Sequence, residues 1–204
     1  MAQHASFIYS NQNVYQIVMR LLYGRNFRAR YEALAAEVPP GAQVVDLCAG
    51  DAYLYRHYLR KKGVTYSGLE LSPQFVAAGK AQGVTMQEFN VWKDKVPAAE
   101  IVIMQASLYQ FLPNAESVVQ KMLAAARRKV IIAEPIRNLS EEDSWLGKLS
   151  RALTKPRPQD EAYSGQRFNE TSLRKLFNSF AAFEREFLIP GGREMIGVFR
   201  GGNR

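Results

Sequence analysis

The chain has 204 residues, 47% of them hydrophobic, enough for one domain with a full core and too many for a disordered chain. No apolar run reaches the ~18–20 residues of a membrane span, no apolar segment of a secretory signal opens the chain, and the single cysteine, Cys48, excludes an intrachain disulfide. A reducing compartment, most simply a bacterial-type cytoplasm, fits this cysteine usage, and the net charge of +8 favours an anionic partner.

Residues 1–10 read as an arm. Val14, Ile17, Val18, Leu21 and Leu22, then Phe27, Tyr31 and Leu34, recur at helical spacing around Gly24, which predicts two helices or one broken helix up to Ala36. Tyr9, Tyr15, Tyr23 and Tyr31 lie here, either packing these helices onto a sheet or forming a lid over a ligand. Pro39-Pro40-Gly41 ends the helix. Strand and helix then alternate: strand one over 44–47, a helix over 52–62, strand two over 65–69, a helix from Ser72-Pro73 to about Gln82 with Ser as cap and Pro in the first turn, and strand three over 84–89. Strand four (101–105), a helix over 116–126 and strand five (130–133) follow. Residues 137–170 break the rhythm as a long connection leaving the end of strand five, a place where functional loops collect. A final helix over 171–180 leads to two strands, 183–190 and 194–200, joined at Gly191-Gly192.

This order predicts an α/β, doubly wound, mostly parallel seven-stranded sheet with an antiparallel last strand and helices on both faces. The chain is then a single domain: an N-terminal helical cap (1–38), a ligand-binding core (42–136), a lid-like insertion (137–170), and the final helix and hairpin (171–204). The ligand belongs at the carboxyl ends of the strands.

Two strand ends stand out. Val44-Val45-Asp46-Leu47 runs into the small residues Cys48, Ala49, Gly50 and Ala52, which let a ligand approach backbone N–H groups. About twenty residues on, strand two ends in Glu70, where α/β nucleotide folds hold a ribose diol. The dinucleotide pattern G-x-G-x-x-G is not met, because Cys48, Gly50 and Tyr53 occupy its places, and neither a Walker loop nor H-E-x-x-H is present. No metal is expected.

In these motifs the chain resembles the class I S-adenosylmethionine-dependent methyltransferases. Asp46 with Cys48, Gly50 and Ala52 stands at the first motif, and Gly68-Leu69-Glu70-Leu71-Ser72-Pro73 at the second. Asn90-Val91 stands at the third, and Gln105-Ala106-Ser107-Leu108-Tyr109 after strand four. The likeness spans about residues 40–135 and, more loosely, the last thirty. It implies S-adenosylmethionine as cofactor and S-adenosylhomocysteine as product. Asp46, Cys48, Ala49, Gly50, Glu70, Leu71, Asn90, Val91, Gln105 and Ala106 would hold the cofactor, with Tyr15 above it. Asp46 would face the methionine amino group, Glu70 the ribose, and Leu71 and Val91 the adenine. Cys48 and Ala52, standing for glycines, are expected to resist φ > 0. The helix start beside Cys48 would acidify its thiol, though no base is seen beside it.

Tyr109 and Glu134 are the candidate bases for an acceptor proton, and Tyr23, Tyr109, Arg137 and Arg193 the candidate acceptor contacts; Arg20 and Arg167 join them as cations at the same edge. His57 reads as structural. Tyr15, Tyr23-Gly24, Phe27 and Arg30 are similar to the first helix of methyltransferases acting on phospholipid headgroups and quinones, which suggests a small-molecule or lipid-like acceptor and peripheral contact with an anionic membrane surface. A nucleic-acid methyltransferase is the charge-driven alternative, weakened because strand four lacks the Asn-Pro-Pro-aromatic exit. A non-catalytic cofactor-binding module is the other.

Overall fold

The computed structural model describes residues 26–136 and 166–202. Within them, helix α1 (Asn26–Ala36) leads to β1 (Gln43–Leu47), β2 (Thr65–Glu70), α2 (Pro73–Ala81), β3 (Met86–Glu88) and β4 (Ala99–Gln105). Then come α3 (Ala115–Ala125), β5 (Ala126–Pro135), α4 (Glu170–Asn178), β6 (Phe183–Leu188) and β7 (Glu194–Arg200). The seven described strands form one sheet in the order β3-β2-β1-β4-β5-β7-β6. β1 to β5 pair in parallel, and β7 runs antiparallel between β5 and β6. The chain winds outward from β1 through β2 to β3 and crosses back to β4, so the winding direction reverses between β1 and β4. In open α/β sheets the ligand crevice lies outside the carboxyl ends at such a reversal.

Period-two alternation divides the core. Val45, Leu47, Val102, Met104, Val130 and Ile132 face α3 and α4, with Met122, Leu173 and Phe177 packed against them. Val44, Ile101, Ile103, Ile131, Ile196 and Val198 face α1 and α2, meeting Phe27, Tyr31, Leu34 and Val76. Two apolar faces are what a parallel sheet covered on both sides requires. At Gly197 a Cβ would come within 2.5 Å of the Phe177 ring, so only glycine lets α4 lie this close to β7.

Three elements differ from the sequence expectation. The helix expected over 52–62 is a π-helical turn (Tyr55–Leu59) followed by a 3₁₀ turn (Arg60–Lys62). Its aromatic side chains serve two neighbours: Tyr55 stacks on Tyr66 of β2 at 4.3 Å, and Tyr58 stacks on Tyr31 of α1 at 5.7 Å. A widened turn spreads these rings over both. Strand five begins at Ala126 rather than Val130, directly from α3, because its outer residues find polar partners: Arg127 donates to Gln43 Oε1 at 2.6 Å and Arg128 pairs with Glu100 at 3.1 Å. A 3₁₀ turn at Leu108–Phe111 follows β4, where no element was expected. Strand three is short, as edge strands are.

Candidate functional site

The loop after β1 carries an alternating left-handed backbone, with φ of 56° at Cys48, 54° at Gly50 and 54° at Ala52. The expectation that Cys48 and Ala52 would avoid this region is therefore corrected: both adopt the glycine conformation, at a cost of ~1–2 kcal/mol each. Hydrogen bonds hold it. Ala49 N–H donates to Leu69 O at 3.2 Å, and Ala52 N–H to Ala49 O at 2.9 Å. Buried Asp51 accepts from Tyr53 N–H at 3.2 Å and from Arg56 Nη2 at 2.9 Å, and Arg56 reaches on to Gln82 Oε1 at 2.6 Å. Asp51, Arg56 and Gln82 were not singled out in the sequence; the i,i+5 spacing of an acid and an arginine was the only available signal.

Glu70 closes β2 beside this loop. Its Oε2 accepts from Gly50 N–H and its Oε1 from Ser72 N–H, each at 2.9 Å. A carboxylate offers about four acceptor sites, so it can take several donors at once. Asp46 is buried on β1 and does not cap the following turn; the Tyr66 hydroxyl donates to its Oδ2 at 2.8 Å. Burial pushes Asp46 up to about 7, Glu70 adds to the rise, and the Tyr66 bond opposes it. Burial also pushes the Cys48 thiol well up, reinforced by Glu70 and Asp46, which reverses the acidification expected from a helix start. Cys48 is half-buried and packs against the core.

Beyond β2 and β3, Leu71 is 49% exposed, Val91 is buried, and Trp92 is 42% exposed with its ring edge-on to Phe111 at 5.3 Å. Sequence reasoning missed Trp92; an apolar ring directly after Asn90-Val91 was the signal. Asn90 Oδ1 accepts from Trp92 N–H at 2.9 Å, so that oxygen is already shared with the turn it forms.

At the tip of β4, Gln105 Nε2 is a buried donor with no partner among the described residues. Ala106 has φ 51° and donates its N–H to Ala133 O at 2.7 Å. Glu134 is fully buried and accepts the backbone N–H groups of Leu108, at 2.9 Å, and Tyr109. Burial, helped by the charge of Glu194, raises it to about 8 against the pull of those two amides and Arg167. Glu134 thus caps the turn that carries Tyr109, and the Arg167 guanidinium lies 3.5 Å from the Tyr109 ring centre. Arg193 sits at the β6–β7 turn, where its carbonyl accepts from Ile136 N–H at 3.0 Å. His57 packs on Tyr53 at 4.1 Å, a structural placement. Tyr15, Tyr23, Arg20, Arg137 and the insertion through residue 165 lie outside the described residues. Among the described residues no group of three or more His, Cys, Asp or Glu is placed to hold a metal ion, and no helix is long and apolar enough to cross a membrane.

The family model for Methionine biosynthesis protein MetW matches residues 28–169. The chain belongs to the MetW family. The MetW match runs from α1 to the cap of α4 and so contains the whole crevice. No curated protein matches the chain in sequence. Among solved structures, it is similar to a chain of the complex between the Haloferax volcanii Trm112 methyltransferase activator and the putative methyltransferase. That match has a TM-score of 0.70 and 12% identity, covering 98% of this chain and 99% of that one. It is also similar to the magnesium protoporphyrin IX methyltransferase of Synechocystis PCC 6803, with TM-score 0.63 and 16% identity over 94% and 96% of the two chains. The TehB-like methyltransferase of Corynebacterium glutamicum matches at TM-score 0.62 and 14% identity, over 94% and 97%. This MetW protein therefore has the class I, Rossmann-like methyltransferase fold.

Proposed function

We propose that this protein binds S-adenosylmethionine across the tips of β1, β2 and β4 and moves the methyl group to a small-molecule or lipid-like acceptor, releasing S-adenosylhomocysteine. One observation carries the reading: the left-handed loop at 48, 50 and 52 is tied through Gly50 N–H to the Glu70 carboxylate at 2.9 Å, which joins a close-approach backbone to a diol acceptor. The residues present fit the cofactor. Asp46 offers a buried carboxylate to an ammonium group, Glu70 a half-buried carboxylate at the strand tip to a ribose, Leu71 and Trp92 exposed apolar surface to a base, and Gln105 a buried amide donor.

When bound, the sulfonium supplies an already activated methyl group, so the protein's task is alignment and exclusion of water. Tyr109 stands at the acceptor side, ordered from below by Glu134 and from one face by Arg167. The net charge of +8 supports an anionic acceptor or contact with an anionic lipid surface, in a reducing cytoplasm. The family's name, methionine biosynthesis, adds small thiols and amino acids to the quinones, phenols and lipid amines worth screening.

The experiment is calorimetry and thermal shift with S-adenosylhomocysteine. Glu70→Ala removes charge-assisted hydrogen bonds worth ~1.5–3 kcal/mol each, so it should abolish most of the ligand-induced stabilisation. An unchanged shift would remove Glu70 from the site. A second reading, a non-catalytic cofactor-binding module, is favoured by the sealing of Glu134, which leaves only Tyr109 of the two candidate bases facing an acceptor. Tight product binding without turnover on any acceptor of the screen would select it.

A further inference from the structure

Tyr66 stands on β2 opposite Val44 of β1, while Asp46 stands opposite Gly68. The missing side chain at Gly68 leaves the diagonal open, and the Tyr66 hydroxyl crosses it to donate to Asp46 Oδ2 at 2.8 Å. Both residues are buried, at 6% and 4% exposure. The Tyr66 ring is clamped against Tyr55, 4.3 Å away and only 15° from parallel, so the hydroxyl is delivered from a fixed direction. A ring that merely filled the core would need no hydroxyl here, and a phenol and a carboxylate are buried together at tolerable cost only when they bond.

We infer that Tyr66 is a positioning residue for cofactor binding, its hydroxyl holding the Asp46 carboxylate in one orientation and in its charged form to meet the cofactor's ammonium group. The inference rests on the cofactor reading proposed above. The groups that bear on Asp46 are few. Glu70 on β2 and Cys48 in the loop after β1 lie beside it, Tyr55 backs the Tyr66 ring, and Asp51 bears on the phenol with its charge paired to Arg56. On α1 the buried cation is Arg30, which is paired with Glu194. The local balance is therefore negative, and the phenol is the one hydrogen-bond donor that Asp46 receives from the described side chains.

Burial pushes the Tyr66 phenol well up, so it stays a donor throughout the neutral range. With Asp46 raised to about 7, ligand affinity should fall as pH drops through that value, because the ammonium group requires the ionised carboxylate. Without the phenol donor, Asp46 rises further and the fall begins at higher pH.

The test uses the full chain and two readouts. The carbon-13 signal of the Asp46 carboxyl is titrated in the free protein, wild type against Tyr66→Phe, and S-adenosylhomocysteine affinity is measured from about pH 6 to about pH 8.5. The expected result is an upward move of the Asp46 midpoint by about one pH unit in Tyr66→Phe, with affinity lost about tenfold at the acid end and within about twofold at the alkaline end. Asp46→Asn should flatten the pH dependence, and adding Tyr66→Phe to it should cost nothing more. An unmoved Asp46 midpoint, or an equal loss at every pH, overturns the inference while leaving cofactor binding in place. A wild-type protein that takes up no S-adenosylhomocysteine overturns the proposed function, and the role of Tyr66 with it.

Discussion

Glu70 and Glu134 make a matched pair. Each closes a parallel strand, and each accepts two backbone N–H groups from the turn that follows or adjoins it. They differ in cover. Glu70 is partly exposed at the tip of β2, where two amides order a carboxylate that solvent still reaches. Glu134 is fully buried at the tip of β5, so the amides consume its useful oxygen and the other is sealed without a partner. The same bonding pattern gives a half-buried carboxylate in one place and an enclosed cap in the other. Beside Glu134 a second charged pair is enclosed: Arg30 of α1 and Glu194 of β7 pair at 2.9 Å with 1% and 0% of their side chains exposed.

If enclosed charge holds this end of the sheet together, breaking its ion pair should give the largest effect. Glu194→Ala leaves the Arg30 guanidinium buried without its counter-charge, and such a break costs ~3–5 kcal/mol. The expected readout is a fall in thermal midpoint of ~2–4 °C per kcal/mol for a chain of this size. Arg30→Met with Glu194→Leu should recover most of the loss, because two apolar side chains need no charge compensation. A single variant as stable as the wild type would mean that α1 is held by Phe27, Tyr31 and Leu34 alone.

The contrast also marks what could be read from the residues. The strand ends, the doubly wound order and the antiparallel β7 followed from apolar runs and turn residues, because parallel strands buried on both faces announce themselves by composition. The place of Glu70 at the end of β2 was readable for the same reason, since an acid closing strand two has a fixed place in the winding. The enclosure of Glu134 was not readable. It depends on the 3₁₀ turn at 108–111, whose amides fold back on it, and that turn leaves no periodic trace in four residues. The left-handed backbone at Cys48 and Ala52 was misread because local propensity was weighed without the bonds from Leu69 and Glu70 that impose it. The bond of Tyr66 to Asp46 was not readable either, since its partner lies on a different strand.

A pH series sharpens the comparison further. Glu134 titrates near 8 in the folded chain, well above its ordinary value of 4.5. Between those two values the unfolded chain releases a proton that the folded chain keeps, so stability falls as pH rises through the window, by at most ~1.4 kcal/mol per pH unit. Glu134→Gln mimics the protonated carboxyl: its oxygen still accepts from Leu108 and Tyr109, and the slope should flatten. Its thermal midpoint should equal that of the wild type at about pH 5 and exceed it by a margin that grows toward about pH 7.5. Parallel curves would show that Glu134 is ionised when folded, and the cap reading would give way to that of an active base.

The smallest expected effect concerns the strained backbone that the two halves share. Ala106, at the β4 exit, holds φ 51° like Cys48 and Ala52 across the crevice. An L-residue there costs ~1–2 kcal/mol, whereas glycine removes that strain and returns ~0.4–1 kcal/mol as extra freedom of the unfolded chain. Ala106→Gly should therefore stabilise the fold by about 0.5–1 kcal/mol, readable as a thermal midpoint higher by ~1–4 °C. Strain kept at a ligand site is kept for pre-organisation, so the same variant should bind S-adenosylhomocysteine somewhat less tightly while melting later. A variant that melts later with undiminished affinity would show that Ala106 only turns the chain toward Glu134, and the cofactor half would then end at Gln105.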